Sequence, residues 1–186
     1  DMQEVIESNL EELHRLTGIV NDMLFLSQAD RGVGARRAPV SSLASLAADV
    51  FDYHEASMAE AGLTAEVVGD AQGAFDAPLL RRALSNLLGN ATRYAKHGSI
   101  VQVGFKTIDE ERVLITVTNC GNTIDPEILP HFFDRFLRAD PARSQGQSNH
   151  GLGLAIVGAI ARMHQGKPVA WSKSGVTTVG IEIRSH

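Results

Sequence analysis

Two runs of alternating apolar residues constrain the fold of this chain more than any other feature of its sequence. The first, SIVQVGFKTI, spans residues 99–108, and the second, RVLITVTN, spans residues 112–119. Only DEE (109–111) separates them, so they predict two strands joined as an antiparallel hairpin. Helical patterns surround this hairpin, with little strand–helix–strand alternation. The order favours the α+β class, with a mixed sheet that carries its helices on one face.

Caps and helix breakers place the remaining elements. Asp76 is a preferred N-cap residue, and Pro78 suits the first turn of a helix that runs to residue 95. Gly62 suits the end of a second helix, which begins after a pair of serines. The other predicted elements are a strand at 63–69, a short helix with an aromatic stretch at 125–140, a helix at 151–165, and closing strands at 167–174 and 177–184.

The first thirty residues predict one long amphipathic helix. Its apolar stripe repeats at steps of three and four and consists of Ile6, Leu10, Leu13, Thr17, Val20, Leu24 and Ser27, widened by Leu16, Met23 and Phe25. The pattern leaves two partners equally open. The helix either folds back on its own domain or packs on another helix, which belongs to a second copy or to a segment outside this chain. Glycines and a proline within residues 29–39 predict a linker after it.

Composition excludes several classes of protein. The length of 186 residues suits one domain with an appendage, and the net charge of −5 argues against a general affinity for nucleic acid. Cys120 is the single cysteine, so no internal disulfide is expected. No stretch approaches the roughly 18 apolar residues that span a bilayer. The acidic, helical opening of the chain does not resemble a signal peptide.

Two glycines, Gly151 and Gly153, stand between a polar stretch and an apolar helix. Such glycines let the backbone approach an anion, and the helix N-terminus offers free N–H groups. Taken alone, this stretch favours the simpler alternative of a loop that enters a buried helix without a ligand. It is neither a Walker loop nor a dinucleotide fingerprint, since no Gly-Lys-Ser/Thr follows and Ile156 occupies the position of the third glycine.

Two further groups of polar residues suggest binding chemistry. Asn86 and Asn90 share one helical face, with Arg93 and Tyr94 close by in NLLGNATRY. Amide oxygens can ligate Mg²⁺, and arginine can hold phosphate. The alternative is that these residues cap neighbouring loops or face water.

The third group is NCGNTID, which follows an apolar strand. The amide of Asn119 can pair with adenine on two of its edge groups. Taken alone, an ordinary turn at the end of a strand is the better interpretation of this stretch.

In this order, the motifs resemble those of sensor histidine kinases. RRALSNLLGNATRYA is similar to the N box of that family, NCGNTI to the G1 box, FFDRF to the F box and NHGLGLAIV to the G2 box. The closing GVTTVGIEI resembles the last glycine–threonine strand of the same domain. The leading SNLEELHRLTGIVNDMLFLSQAD resembles the second helix of the dimerisation and phosphotransfer hairpin, in the form found in the heavy-metal (copper/silver-type) branch.

The resemblance implies a fold and a division of the chain. The fold is the Bergerat-type (GHKL) ATP-binding α/β sandwich, preceded by a long helix. Residues 1–31 would be the second hairpin helix, 32–39 a linker and 40–186 the catalytic ATP-binding domain. ATP and Mg²⁺ would be bound between a helical layer and a lid.

Roles for single residues follow from the same resemblance. Asn90 would ligate Mg²⁺, Asn86 would act in catalysis at the phosphates, and Arg135 and Arg138 are candidates for the γ-phosphate. Phe132, Phe133 and Phe136 would anchor the lid. The full set expected to contact the nucleotide is Asn86, Asn90, Arg93, Tyr94, Asn119, Gly121, Ile124, Phe133, Gly151, Leu152, Gly153, Leu154 and Thr177.

The sequence departs from the family pattern at three points. Asn119 stands where most members have the adenine-reading aspartate, and Asn149 stands where the G2 box often begins with glycine. The phosphoacceptor motif is absent, since His14 and His54 lack its context. The receiving histidine is therefore expected outside this chain, which would not phosphorylate itself.

The implied function is an ATP-dependent protein-histidine kinase of a two-component system. Its partners would be its own phosphoacceptor hairpin and a response regulator, with a homodimer at full length and no nucleic acid. It would form the cytoplasmic portion of an inner-membrane sensor. A related ATP hydrolase is the first alternative, but its activating glutamate would occupy the position of Asn86, and an amide is no general base. A nucleotide-binding scaffold without transfer activity is the second.

Overall fold

The computed structural model describes residues 2–137 and 150–186. Its helices are α1 (Met2–Asp30), α2 (Leu43–Glu60), α3 (Ala77–Tyr94) and α4 (Gly153–Met163), with a short 3₁₀ turn at Leu129–His131. Its strands are β1 (Ala38–Val40), β2 (Thr64–Val68), β3 (Gly73–Phe75), β4 (Ile100–Thr107), β5 (Arg112–Cys120), β6 (Lys167–Lys173) and β7 (Val176–Arg184).

The main sheet has five strands in the order β2-β4-β5-β7-β6. The predicted hairpin is confirmed, because β4 and β5 pair antiparallel with Val103 opposite Val117. The closing strands form a second antiparallel pair, and β7 adds to the free edge of β5. β2 pairs parallel with β4, so the sheet is mixed and the predicted α+β class is confirmed.

Alternation along the central strands explains why helices cover one face of the sheet. On β4 and β5 every second residue is buried, while their neighbours are partly exposed. The buried residues pack with α2, α3 and α4 in one hydrophobic core. α4 is buried over nearly its whole circumference, since all residues from 155 to 161 are buried. The apolar composition of α4 predicts this position inside the core.

A buried histidine joins the start of α3 to the end of α4. His164 is fully buried, and its Nε2 accepts a hydrogen bond from the backbone N–H of Asp76 at 3.1 Å. Its Nδ1 is within 2.9 Å of the carbonyl oxygen of Ile160, to which it donates. Asp76 is the predicted N-cap and accepts from the N–H of Leu79 at 3.2 Å. The two helices that carry the N and G2 boxes are thus held at a fixed spacing.

Two short strands were not predicted. β1 and β3 pair antiparallel, so that Ala38 lies opposite Phe75. β1 begins inside the segment 32–39 that the sequence indicated as linker. Strands of three residues are too short to show a period of two, which explains why the pattern did not predict them.

The long helix α1 packs on the domain mainly through residues outside the predicted stripe, although Phe25 of that stripe is in contact with the core. Leu26 is its one fully buried residue among those described, with Ile19, Phe25 and Ala29 partly buried against the core. Asp22 pairs with Arg82 of α3 at 2.7 Å, and the guanidinium of Arg82 lies over the ring of Phe25. The predicted stripe remains largely exposed, as at Leu10, Leu13 and Leu24. The end of α1 therefore folds back on the domain while the stripe itself lacks a cover within the described chain.

The short helix expected within 125–140 reduces to the 3₁₀ turn. Among the described helices, none combines the length and apolar character needed to cross a membrane.

Candidate nucleotide-binding site

Helix α3 positions the N-box residues because its apolar face is fixed in the core. The buried face consists of Leu80, Ala83, Leu84, Leu87, Leu88 and Ala91. Asn86 and Asn90 lie beside this face and are partly buried, as the shared helical face predicts. Arg93 lies in the last turn, where a cation is favoured by the helix dipole, and its guanidinium is 5.9 Å from the ring of Tyr94.

Asn86 faces the start of α4 with an unpaired hydrogen-bond donor. Its Nδ2 is buried and has no hydrogen-bond partner in the part of the chain that the structure describes. A Cβ added at Gly153, the first residue of α4, would lie 3.7 Å from the Asn86 Cγ. Leu152 occupies the N-cap position, and its side chain cannot cap the first N–H groups of α4. The unpaired amide of Asn86 beside the N-terminus of α4 forms a place suited to an anion.

Gly151 is required by the close approach of two chain segments. It has a φ of +71°, and a Cβ there would lie 2.8 Å from the carbonyl carbon of Phe136. Its carbonyl oxygen accepts from the N–H of Phe136 at 2.9 Å. Of the two G2-box glycines, Gly151 is therefore the one that the packing requires, whereas a Cβ at Gly153 would make only an ordinary contact with Asn86.

A second polar region lies at the end of strand β5. Asn119 is 4% exposed and pairs in register with Thr177 on β7, which is buried to the same degree. The hydroxyls of Thr177 and Ser172 are 2.8 Å apart, and Ser172 accepts from the N–H of Ile124 at 2.9 Å. Thus strand pairing and the Ser172 hydroxyl bring together Asn119, Ile124 and Thr177, three residues expected to contact the nucleotide.

Gly121 shows that the backbone is closely packed at this end. A Cβ on Gly121 would lie 2.3 Å from the carbonyl oxygen of Tyr94. Its N–H donates to the carbonyl of Gly175 at 2.8 Å, and it forms an isolated bridge with Ala95. The end of α3, the end of β5 and the β6–β7 turn therefore meet at one glycine. The close approach of an adenine base to the backbone at Gly121 stays a prediction.

The F-box phenylalanines divide into two kinds. Phe132 is buried and Phe133 packs on the core beside it, with their rings edge to face at 6.4 Å. The expectation that Phe136 is also an anchor is wrong, because its side chain is 57% exposed. Its φ is +64°, and its N–H donates to the carbonyl of Gly151.

The two candidate arginines differ in what can be said of them. Arg135 Nη2 forms an ion pair with Asp30 Oδ2 of α1 at 2.5 Å, so it contacts the long helix and not the N-box residues. Arg138 and Asn149 lie outside the described residues, as does nearly all of the polar loop that precedes Gly151.

The sequence motifs did not indicate several residues that hold the elements around the site in place. Ser172 and His164 belong to no motif; hydrogen bonds to Ile124 and Thr177 identify the first, and burial identifies the second. His54 of α2 lies 2.7 Å from the hydroxyl of Ser85, the residue before Asn86, and burial lowers the pKa of His54. Their polar character in apolar surroundings is a signal, but it appears only once the fold is known.

The acidic side chains do not assemble into a metal centre. In the described ranges, no group of three His, Cys, Asp or Glu residues is placed to hold an ion. A metal at this site would therefore depend on an amide oxygen and on ligands that the nucleotide brings.

Comparisons with known proteins agree with this geometry. Residues 75–185 match the family of histidine kinase-, DNA gyrase B-, and HSP90-like ATPases. Sensor histidine kinase CusS of Escherichia coli O6:H1 (strain CFT073) is 45% identical over 167 residues, which cover 89% of this chain and 35% of that protein. The chain thus spans about a third of the length of the curated relatives it matches.

Solved structures show the same fold. The Acinetobacter baumannii histidine kinase AdeS has a TM-score of 0.81 at 20% identity, covering 97% of this chain and 84% of that chain. Full-length ShkA, solved in complex with AMPPNP, has a TM-score of 0.79 at 24% identity and covers 91% of this chain and 36% of that one. The ATP-binding α/β sandwich implied by the motifs is confirmed. By motif order, fold and the match across residues 75–185, the chain belongs to the histidine kinase-, DNA gyrase B- and HSP90-like ATPase family.

Proposed function

We propose that this chain is the catalytic ATP-binding region of a sensor histidine kinase, which transfers the γ-phosphoryl group of ATP to a histidine outside the chain. The observation that carries the proposal is the unpaired, buried amide of Asn86 beside the start of α4, which has no side-chain cap. A triphosphate supplies acceptors for that amide and for a helix N-terminus. Identity of 45% to a protein named as a sensor histidine kinase supports the same reading.

Different residues contact the base, the phosphates and the metal ion of the nucleotide. Asn119, Gly121, Ile124 and Thr177 hold the base, and Asn86, Leu152, Gly153 and Leu154 face the phosphates. Asn90 would hold Mg²⁺, and the ion would supply positive charge that offsets the charge of the phosphates. The amide oxygen of Asn90, and the absence of a metal-holding group of three His, Cys, Asp or Glu side chains in the described residues, fit a metal held mainly by phosphate oxygens. Arg93 and Tyr94 border the phosphates, and Phe133 fixes the neighbouring segment.

Positioning and charge neutralisation carry this reaction, because phosphoryl transfer demands little covalent chemistry from the protein. A hydrolase needs a base that activates water beside the γ-phosphate. Asn86 occupies that place in α3, and an amide cannot accept the proton. The receiving histidine therefore comes from a phosphoacceptor hairpin, which in turn delivers the phosphoryl group to a response regulator. We further propose that the full-length protein is a homodimeric membrane sensor with this region in the cytoplasm.

One experiment separates the candidate functions. The chain is mixed with γ-labelled ATP, Mg²⁺ and a separately produced hairpin that carries the phosphoacceptor histidine. Label on the hairpin supports the kinase, whereas label released as phosphate indicates a hydrolase. ATP binding without either product indicates a nucleotide-binding scaffold.

Two variants sharpen this assay. Asn90→Ala is expected to abolish Mg²⁺-dependent binding and transfer while the domain stays folded. Asn21→Ala, on the exposed part of α1, serves as the control and should leave both unchanged. Transfer by Asn90→Ala at the wild-type rate would overturn the metal assignment.

A further inference from the structure

An ion pair joins the last residue of α1 to the segment that precedes the G2 box. Arg135 Nη2 lies 2.5 Å from Asp30 Oδ2, across 105 positions of the chain. The side chains are 38% and 53% exposed, so the pair is open to solvent. Exposed pairs of this kind are weak, and a better partner for either side chain can break them.

The neighbouring acidic residue, Asp134, pairs with another side chain, and Arg135 pairs with Asp30. Asp134 Oδ2 lies 2.8 Å from the Nδ1 of His131, one turn back along the same segment. Arg135 itself pairs with Asp30 at the end of α1. The Asp30 carboxylate thus links α1 to the segment of residues 132–137.

Residues 132–137 in turn contact the proposed phosphate site at Gly151. Phe132 is buried, and the N–H of Phe136 donates to the carbonyl of Gly151 at 2.9 Å. Phe136 adopts a φ of +64°, a left-handed conformation that is strained for a residue with a bulky side chain. Such strain persists only where the surroundings impose it, and it is typical of segments that switch.

The contacts continue without a gap to the N box. Gly151 is followed by Gly153, whose Cβ position lies 3.7 Å from Asn86. Arg135 therefore pairs with α1, while Phe136, the next residue, is bonded to Gly151, two residues before the glycine that lies beside the unpaired amide of Asn86. A guanidinium in this position has two possible anionic partners, the Asp30 carboxylate and the nucleotide.

We propose that Asp30 and the terminal phosphates of the nucleotide compete for Arg135. This inference rests on the proposed nucleotide binding and assigns a regulatory contact to it. Nucleotide binding draws Arg135 from Asp30 and loosens the last turn of α1. By reciprocity, docking of that turn weakens nucleotide binding by the same factor. The helix that leads out of the domain thereby senses whether the site is filled.

The test compares the affinity for AMPPNP with Mg²⁺ in matched variants, measured by titration calorimetry. Asp30→Asn should bind about two- to fivefold more tightly than wild type, the range expected when an exposed ion pair no longer competes. Asp49→Asn is the control, because Asp49 forms an ion pair of similar exposure with Arg81 on the far side of α3. Its affinity should equal that of wild type.

A double variant and a second nucleotide make the test specific. In an Arg135→Gln background, Asp30→Asn should have no further effect, and with ADP its gain should be smaller than with AMPPNP. Hydrogen exchange in residues 27–31 should rise on adding AMPPNP to the wild type and change little in Asp30→Asn. Equal affinities of wild type and Asp30→Asn, with wild-type binding intact, would overturn the competition alone. A wild type that binds no nucleotide would overturn the proposed function and this inference with it.

Discussion

At the scale of single residues, Asn119 is the position where base recognition can be tested. An amide can accept from the adenine amino group, and it can also rotate to donate to the carbonyl of guanine, which a carboxylate cannot do. We expect Asn119→Asp to raise the preference for ATP over GTP, by up to about 1–3 kcal/mol. Competition binding of the two nucleotides measures it.

The control for this prediction lies three residues along the chain. Asn122→Asp adds the same charge at an exposed position and should leave the ratio of the two affinities unchanged. Equal discrimination by wild type and Asn119→Asp would mean that backbone groups, such as those around Gly121, select the base instead.

His164 predicts how stability depends on pH. Burial, the largest cause, lowers its pKa below 6.5, and Arg37 acts in the same direction, while the hydrogen bond to Ile160 and the charge of Asp76 oppose them. The unfolded chain therefore binds a proton on this group at a higher pH than the folded one. Stability is retained above pH 6.5 and decreases as the pH falls from there through the pKa of the folded state.

Urea unfolding at pH 7.5 and at about pH 5 measures this decrease. His164→Gln removes the group that titrates, so its loss of stability between the two pH values should be smaller than that of wild type. Its stability at pH 7.5 will also be lower, because the link between Asp76 and Ile160 is disturbed. An equal loss in both proteins would assign the acid sensitivity to other groups, such as His54, whose pKa is lowered by burial as well.

Residue-scale prediction from sequence had a clear limit. The motifs indicated Asn86, Asn119 and the two G2 glycines, because each belongs to a spacing with a chemical meaning. They could not indicate that Phe136 is exposed or that Arg135 reaches Asp30, since both facts depend on the path of a loop through space. Fine geometry of this kind arises from packing and leaves no periodic trace.

At the scale of elements, α1 shows what periodicity can and cannot tell. The step of three and four predicted a helix, and Met2–Asp30 confirms it. The widest apolar stripe nevertheless is not the face that packs on the domain. Leu26 lies on the opposite side from Leu24, and it is Leu26 that is buried. A count of apolar residues identifies a helix but does not choose between two apolar faces.

A pair of leucines tests this assignment. Leu26→Ala removes a buried side chain, and we expect a loss of about 2 kcal/mol or more in the free energy that docks the end of α1. Leu24→Ala removes the same atoms from a side chain that is 57% exposed and should have little effect.

Hydrogen exchange in residues 19–30 measures the docking. Faster exchange is expected there in Leu26→Ala, while the central strands β4 and β5 keep their protection. Equal exchange in the two variants would mean that the ion pair between Asp22 and Arg82 is sufficient to hold the helix.

At the scale of the whole molecule, the hairpin and helix patterns predicted the class and the mixed sheet, but not its edges. The region matched by the family begins at Phe75, yet β2 and α2 lie before it and complete the sheet and core. We expect a fragment of residues 32–186 to fold, because α1 contributes only Leu26 to the fully buried residues that the structure describes. A fragment of 75–185 should fail to fold cooperatively, since it leaves β4 without its parallel neighbour.

Circular dichroism with urea titration distinguishes the two fragments. A single cooperative transition is expected for 32–186, close to that of the whole chain. A similar transition in 75–185 would show that β2 and α2 are accessory to the core.

The sheet order also implies the order in which the parts of the site form during folding. β5 meets β4 across a turn of a few residues, but it meets β7 only after residues 121–175 have closed into a loop. Closing so long a loop is slow compared with forming the hairpin, because its entropy is lost before its contacts form. The F box, the G2 glycines and α4 all lie within that loop. During synthesis on a ribosome, the N box would therefore emerge long before the site could bind a nucleotide. The first binding of ATP would report that β7 has paired with β5.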